Sequence, residues 1–224
     1  MLIVVEEMKK MKCFHYHWWT DKVEEMEAWY RGIGFETRQR IGRANGEMRE
    51  FNPPLEWEDF RQEEVQFRII EMVQGQVNIT FGQGKRDRFD HIGFLMDDLE
   101  HDEVLKNAAL LGWRVDEGER RTFISTPWRF RVELQRRKEA VRSEAFPSLA
   151  RLELNIDRPG RLSALAELLG AEAEDKGETC LIRTADWELQ LSRGQESSLE
   201  SVEVRQREPL AGTDPVGVLM TSTI

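Results

Sequence analysis

A repeated strand, helix and strand pattern is the feature that most constrains how this chain folds. The first copy begins with an aromatic strand that carries His15, and its amphipathic helix ends near Gly34. The second copy begins with the strand around His91, and its helix ends near Gly112. The histidine and the helix-ending glycine are 19 positions apart in the first copy and 21 in the second. Because the same pattern recurs at nearly the same spacing, an internal duplication is predicted.

The two copies are expected over residues 12–84 and 88–138, which together make one domain over 12–138. A third, weaker copy is predicted over 148–208, with a leucine-rich helix that ends at Gly170. Counting 19 positions back from that glycine reaches Arg151 rather than a histidine. The third copy is therefore expected to be degenerate.

Three segments are expected to lie outside this repeated pattern. The polar stretch 43–64, with Asn52-Pro53-Pro54, is predicted to be a loop or excursion. Residues 1–11 and 210–224 are predicted to be tails, because neither has a helical or strand period. The first of them has acidic residues directly after a short apolar run and no small-residue cleavage site, so a signal peptide is not expected.

Composition excludes several classes of function. The chain has 224 residues, 40% of them hydrophobic, which is enough for a sizeable core. A formal net charge of -10 argues against nucleic acid as a partner, because phosphate binding needs a positive footprint. No apolar run is long enough to span a membrane. With only Cys13 and Cys180, no disulfide framework is implied, and the cytoplasm is the expected location.

Two histidines and one glutamate stand on different predicted strands. His15 and His91 lie on the first strands of the two copies, and Glu133 lies on the last strand of the second. Two imidazoles and one carboxylate form a facial site with open positions for substrate or dioxygen. As alternatives, His15 or the nearby His17 could be a core histidine satisfied by a backbone carbonyl, and Glu133 could form a salt bridge with Arg131 or Arg121.

These stretches together resemble the vicinal oxygen chelate superfamily, which includes glyoxalase I, extradiol dioxygenases, and fosfomycin- and bleomycin-resistance proteins. The resemblance covers about residues 12–135. It rests on His15 through Tyr30 to Phe35, on Asp90-His91-Ile92-Gly93-Phe94 through Leu111-Gly112-Trp113, and on Thr126-Pro127 to Glu133-Leu134. It implies an α+β fold in which paired βαβββ modules form a cupped mixed sheet, accompanied here by the third degenerate module.

The resemblance also implies which residues hold a metal. It assigns His15, His91 and Glu133 as ligands and places the fourth family position near Thr80, where the carboxylate used by glyoxalase I-like members is missing. The isomerase function is therefore disfavoured. A three-ligand site like that of dioxygenases or fosfomycin-resistance proteins is expected, although Phe123 stands where an extradiol dioxygenase would have a tyrosine.

Four residues are expected to line the substrate cavity: His17, Trp19, Thr80 and Phe123. His17 shares a strand face with His15, so the choice of ligand between these two histidines stays open. Arg121 and Arg129 could hold an anionic substrate or could be ordinary surface arginines.

The sequence therefore predicts a metal-dependent enzyme that acts on a small oxygen-chelating molecule. Fe(II) or Mn(II) is favoured as the cofactor, and Zn(II) also fits the ligand types. The alternative is a non-catalytic module that binds a bleomycin-type molecule, for which the acidity of the chain would suit a cationic drug. A homodimer, formed through the third module, is a further expectation because cupped sheets have edges that must be covered.

Overall fold

The computed structural model describes residues 11–158 and 160–224, which form two mixed sheets and three α-helices. The predicted α+β class with paired βαβββ modules is confirmed. The predicted tail at 1–11 lies outside the described residues except for Met11, whose backbone N–H donates to the Glu100 carboxylate at 2.8 Å. None of the described helices is long and apolar enough to cross a membrane.

The first module contains one helix and five strands. Its elements are β1 (Lys12–Thr20), α1 (Val23–Gly32), β2 (Glu36–Ala44), β3 (Glu47–Glu50), β4 (Gln66–Gln74) and β5 (Val77–Gln83). The predicted loop at 43–64 thus contains a strand that pairs with β2. Asn45 and Gly46 both have positive φ, at 52° and 85°, which is the backbone of a tight hairpin turn. The Asn-Gly pair in the sequence was the local signal for this hairpin.

The second module has the expected order of elements. It comprises β6 (Arg88–Leu95), α2 (Asp98–Leu111), β7 (Val115–Glu117), β8 (Thr122–Ser125) and β9 (Arg131–Gln135). Asp97 caps α2 by accepting a hydrogen bond from the Glu100 N–H at 2.9 Å. Gly112 ends the helix in the left-handed conformation, with φ of 67°.

The two modules join edge to edge in one nine-stranded sheet, in the order β3-β2-β4-β5-β1-β6-β9-β8-β7. The first strands of the modules, β1 and β6, pair antiparallel at the centre. Each of them also pairs in parallel with the last strand of its own module, β5 or β9. Side chains from these four central strands can therefore meet on one face.

A second, seven-stranded sheet contains the third module and the end of the chain. Its elements are β10 (Ser148–Ile156), α3 (Ala164–Leu169), β11 (Glu172–Asp175), β12 (Thr179–Arg183), β13 (Glu188–Arg193), β14 (Ser198–Arg205), β15 (Ala211–Thr213) and β16 (Leu219–Thr223). The segment 210–224, predicted to be a tail, instead supplies β15 and β16, and β16 pairs in parallel with β14. The third unit is thus a full βαβββ module, and β14 to β16 resemble a fourth module without its helix.

The two sheets share a hydrophobic core. Trp187 from the second sheet is buried and packs against Phe94, with the ring centroids 5.1 Å apart and the planes tilted by 53°. Its indole N–H donates to the Met11 carbonyl at 2.9 Å. Tyr30 on α1 donates to the Asp214 carboxylate at 3.0 Å. Because a buried aromatic of this size contributes about 3–5 kcal/mol, these contacts hold the second sheet firmly on the first.

Candidate metal centre

The three predicted ligands lie together on the face formed by the central strands. His15, His91 and Glu133 are all buried, and one donor atom from each lies within 4.8 Å of the others. The Nε2 atoms of the histidines are 3.0 Å apart. The Glu133 Oε2 atom is 3.3 Å from His91 Nε2 and 3.9 Å from His15 Nε2.

Strand register explains this convergence. His91 lies on β6, and Glu133 on β9 pairs with Gly93, two residues further along the same strand face. A Cβ atom at Gly93 would stand only 2.8 Å from the His15 Cβ. The glycine of the Asp90-His91-Ile92-Gly93 motif therefore provides the space in which His15 reaches the other two ligands.

Hydrogen bonds orient both histidine rings. His15 Nδ1 lies 2.9 Å from the backbone carbonyl of Asn78 and 3.1 Å from its side-chain oxygen. His91 Nδ1 lies 2.8 Å from the Asp90 carboxylate. Because these partners accept hydrogen bonds, each Nδ1 carries the proton and each Nε2 presents a lone pair. Such outer partners are typical of histidines that bind metals.

This arrangement fits a bound cation. Two lone pairs at 3.0 Å and a carboxylate oxygen beside them repel each other unless a proton or a metal ion lies between them. The surroundings favour the forms that bind metal. Burial lowers the pKa of His15 to about 4, although the charge of Glu133 opposes that shift. Burial raises the pKa of Glu133, but at acidic pH, where His15 is protonated, the hydrogen bond from His91 and the charges of both histidines outweigh burial and lower that pKa to about 2, so Glu133 is ionised at neutral pH.

Three of the four residues predicted to line the substrate cavity contact these ligands. Trp19, the fourth, contacts His17 rather than a ligand. His17 stacks on His91, with ring centroids 4.9 Å apart and planes 3° from parallel. Its Nδ1 lies 2.6 Å from the Thr80 hydroxyl, which is also 3.4 Å from His15 Nε2. Phe123 pairs with Glu133 across β8 and β9 and contacts the edge of His91. Trp19 packs on His17 with centroids 4.9 Å apart.

His17 is the less suitable of the two candidate ligands on β1. Its Nε2 atom is buried without a hydrogen-bond partner among the described residues. Burial and the nearby His91 lower its pKa well below the ordinary value. The convergent group contains His15 rather than His17. His17 therefore lies beside the centre as a polar wall.

The predicted arginine contacts divide between two carboxylates. Arg121 lies 3.3 Å from Glu133, as one alternative expected, whereas Arg131 binds Asp90. Hydrogen bonds with His91 and Arg131 hold the Asp90 pKa far below its usual range, although burial opposes them. Arg129 is exposed and approaches only Asp157, at 3.9 Å.

Sequence reasoning missed the two residues that orient the histidines. Asp90 adjoins His91 in the quoted motif, so its position next to a candidate ligand was an available signal. Asn78 is 63 residues from His15 and is brought to it by the pairing of β1 with β5. Its side-chain N–H donates to Glu71 and to the Ala140 carbonyl, both at 2.7 Å. Only the strand register shows this connection.

A cleft of about 420 Å³ opens beside the centre. Its lining combines four arginines with two glutamates, two glutamines and two apolar residues: Arg38, Arg120, Arg121, Arg137, Glu71, Glu139, Gln39, Gln135, Ile69 and Ala140. One of these residues, Arg121, contacts the convergent group directly at Glu133, and Glu71 is linked to it through Asn78, which binds His15. The size is suitable for a small molecule.

Several solved structures have this fold. A glyoxalase with bound Mn(II) from Novosphingobium aromaticivorans has a TM-score of 0.63 at 12% identity, over 94% of this chain and 81% of that one. The 2,3-dioxygenase LapB from a Pseudomonas species has a TM-score of 0.63 at 13% identity, over 94% and 91% of the two chains. A mutant 4-hydroxymandelate synthase from Streptomyces coelicolor has a TM-score of 0.63 at 11% identity, again over 94% and 91%.

No protein-family model and no curated protein sequence matches the chain. At identities of 11–13%, the structural similarity shows the fold alone. It confirms the fold that the family resemblance implies.

Proposed function

We propose that this chain, which has the fold of the vicinal oxygen chelate superfamily, is a metal-dependent enzyme that acts on a small molecule with neighbouring oxygens. The observation that carries the proposal is the convergence of two oriented imidazoles and one ionised carboxylate. Burial of such a group without a cation is costly, so metal binding is the simplest reason for its presence.

His15, His91 and Glu133 are the proposed ligands. Two nitrogens and one carboxylate oxygen suit Fe(II) or Mn(II), which we favour, and they also accept Zn(II). When bound, such an ion would orient the oxygens of the substrate and stabilise developing negative charge as a Lewis acid. Asn78 and Asp90 hold the imidazole rings so that both Nε2 atoms point at one place.

The residues around the ligands favour a reaction that needs no fourth carboxylate. Thr80 lies where such a carboxylate would stand, so no acidic side chain is placed there to move a proton between adjacent carbons of a substrate. His17 and Thr80 form one polar wall, and Phe123 and Trp19 supply aromatic surface. This environment supports a dioxygenase-type reaction or an addition of the fosfomycin-resistance type.

Metal titration tests the proposal directly. Chelator-treated protein should bind one Fe(II) or Mn(II) per chain under anaerobic conditions, as measured by calorimetry and elemental analysis. His91→Ala and Glu133→Gln should each abolish stoichiometric binding, whereas Glu117→Gln, an exposed control with the same charge change, should bind normally. A wild-type protein that has no affinity for these ions would contradict the enzyme function.

Activity assays separate the reaction types. Oxygen consumption with catechols by the Fe(II) form would indicate a dioxygenase, and thiol addition to an epoxide by the Mn(II) form would indicate a resistance enzyme. Absence of both activities and of metal binding would favour the non-catalytic alternative, which drug titration would test. The four arginines of the cleft suit a cationic drug of the bleomycin type poorly.

Partners and location also remain proposals. We expect a small-molecule substrate, no nucleic acid and no membrane partner, since the net charge is -10. Both cysteines are buried and unpaired, which suits the reducing cytoplasm.

A homodimer through an outer strand such as β11 or β15 would cover an edge of the second sheet, and the oligomeric mass in solution tests it.

A further inference from the structure

The charge of the cleft beside the metal centre differs from that of the chain. The chain carries 32 basic and 42 acidic residues, whereas the described cleft lining has four arginines and two glutamates. A positive cleft in an acidic protein concentrates anionic ligands in its vicinity. The partners of each arginine decide which of the four can bind such a ligand.

Two of the four arginines are already neutralised. Arg38 donates two hydrogen bonds to Glu71, at 2.5 and 2.9 Å, and it also donates to the carbonyl groups of Glu139 and Ala140. Arg137 donates to Glu139 at 3.0 Å. These pairs account for both glutamates of the cleft.

The excess positive charge lies on Arg120 and Arg121. These neighbours stand at the start of β8, in the turn where the Gly118 N–H donates to the Arg121 carbonyl at 3.0 Å. Arg120 is exposed and makes no hydrogen bond or ion pair with any described residue. The Arg121 side chain makes one hydrogen bond among the described residues, at 3.3 Å to the Glu133 carboxylate. Its guanidinium also lies over the ring of Phe123, 5.5 Å from the ring centroid. Most of its five N–H donors are therefore available.

Gln135 adds a neutral donor next to these arginines. It lies two residues beyond Glu133 on β9, on the same strand face, and only 6% of it is exposed. Its side-chain oxygen accepts a hydrogen bond from the Arg137 N–H at 3.0 Å. Its amide N–H group has no partner among the described residues. This amide N–H group can donate to a ligand that accepts hydrogen bonds.

We propose that the substrate carries a carboxylate besides its metal-binding oxygens, and that Arg120, Arg121 and Gln135 bind this group in the cleft. The planar guanidinium groups match a planar carboxylate through paired hydrogen bonds. Arg121 also contacts Glu133, so the carboxylate site lies next to the metal centre. One small molecule can therefore reach both, with its carboxylate at one end and its metal-binding oxygens at the other. This inference rests on the proposed function, because it assumes that the chelating oxygens are bound at the metal centre.

Matched ligands test the inference. The Mn(II)-loaded protein is titrated anaerobically by calorimetry with 3,4-dihydroxybenzoate, 3,4-dihydroxyphenylacetate and the methyl ester of each. The acid of at least one pair should bind ten or more times tighter than its ester, as expected for charge-assisted hydrogen bonds to guanidinium groups. Arg120→Gln and Arg121→Gln should each reduce this preference and the double variant should abolish it, while in Arg120→Gln, which does not touch the Arg121–Glu133 contact, the affinity for the ester stays within about twofold.

Arg129→Gln is the matched control. This arginine is exposed, carries the same charge and lies outside the cleft lining, so the preference for the acid should persist. Equal affinity for acid and ester in both pairs would overturn the carboxylate site while the metal-dependent function stands. If no catechol binds more tightly with Mn(II) than without it, the inference fails, and the metal titration described above decides the proposed function separately. An unchanged ester affinity in Arg120→Gln shows that the metal centre is intact and that only the carboxylate site is lost.

Discussion

Thr80 occupies in the first module the position that Glu133 occupies in the second. On β5, Thr80 pairs with His17, two residues beyond His15, and on β9, Glu133 pairs with Gly93, two residues beyond His91. The Thr80 hydroxyl lies 3.4 Å from His15 Nε2, so it faces the convergent group as Glu133 does. The centre is thus a symmetric arrangement in which one module supplies a hydroxyl instead of a carboxylate.

Restoring a carboxylate at that position should strengthen metal binding. In Thr80→Glu, a fourth and anionic donor would face His15, so we expect the affinity for Mn(II) to rise about tenfold, which corresponds to one added charge-assisted contact. Chelator competition measures the dissociation constant. Thr80→Gln, of the same size without the charge, is the control, and equal affinities in the two variants would contradict the predicted position.

Loss of the Asp90 charge should weaken metal binding without removing a ligand. Asp90→Asn removes the anionic partner of His91 Nδ1, so the ring becomes a poorer donor, and we expect the metal affinity to fall about 10- to 100-fold. The same chelator competition applies. Asp98→Asn makes the same change at an exposed ion pair with Arg136 and should leave the affinity unchanged. A normal affinity in Asp90→Asn would show that this hydrogen bond does not support the centre.

The metal-free protein should lose stability as the pH falls below neutral. The pKa of His15 drops from 6.5 to about 4 on folding, mainly through burial, so the unfolded chain binds a proton that the folded chain excludes. Stability is therefore lost between about pH 6.5 and 4, by roughly 3 kcal/mol for this residue.

Glu133 acts in the same direction at lower pH. Its pKa falls from 4.5 to about 2 on folding, because His91 and His15 outweigh burial, and so it stabilises the fold above pH 4.5 and loses that effect as the pH falls to about 2. Urea unfolding at several pH values measures both trends. His15→Asn should flatten the profile between pH 6.5 and 4, and an unchanged slope in that variant would refute the assignment.

The two ion pairs that α1 forms through its glutamates should differ in their importance for stability. Arg40 and Glu27 form a bidentate pair, at 2.5 and 2.8 Å, that is 0% and 1% exposed, whereas Arg61 and Glu24 form a bidentate pair in solvent. Arg40→Gln should lower the free energy of unfolding by about 3–5 kcal/mol, because it leaves the buried Glu27 carboxylate with the neutral Thr37 hydroxyl at 2.6 Å and with Arg31 at 3.9 Å. Arg61→Gln should lower it far less, because solvent screens the exposed pair. Urea denaturation measures both changes, and similar losses would contradict the expected effect of burial.

Most elements of the first two modules could be predicted because their signals are local, whereas β3 lies in the segment predicted to be a loop. Helical periodicity and helix-ending glycines marked α1 and α2, and the alternation of aromatic residues marked β1. Strands β15 and β16 could not be predicted, because they are 3 and 5 residues long and have no clear alternation. Pairing with β14, rather than the sequence of the segment, stabilises them.

The sequence by itself determined which chemistry the centre can have. It placed His15, His91 and Glu133 on strands of a duplicated unit, because periodicity and residue type are properties of the chain alone, and the family resemblance implied Thr80 at the fourth point. The tertiary structure decided which residues surround them. Asn78 reaches His15, and Arg121 reaches Glu133, through the register between strands that are distant in sequence or separated by a turn. Register depends on the packing of whole sheets, so no local pattern in the chain could specify these contacts.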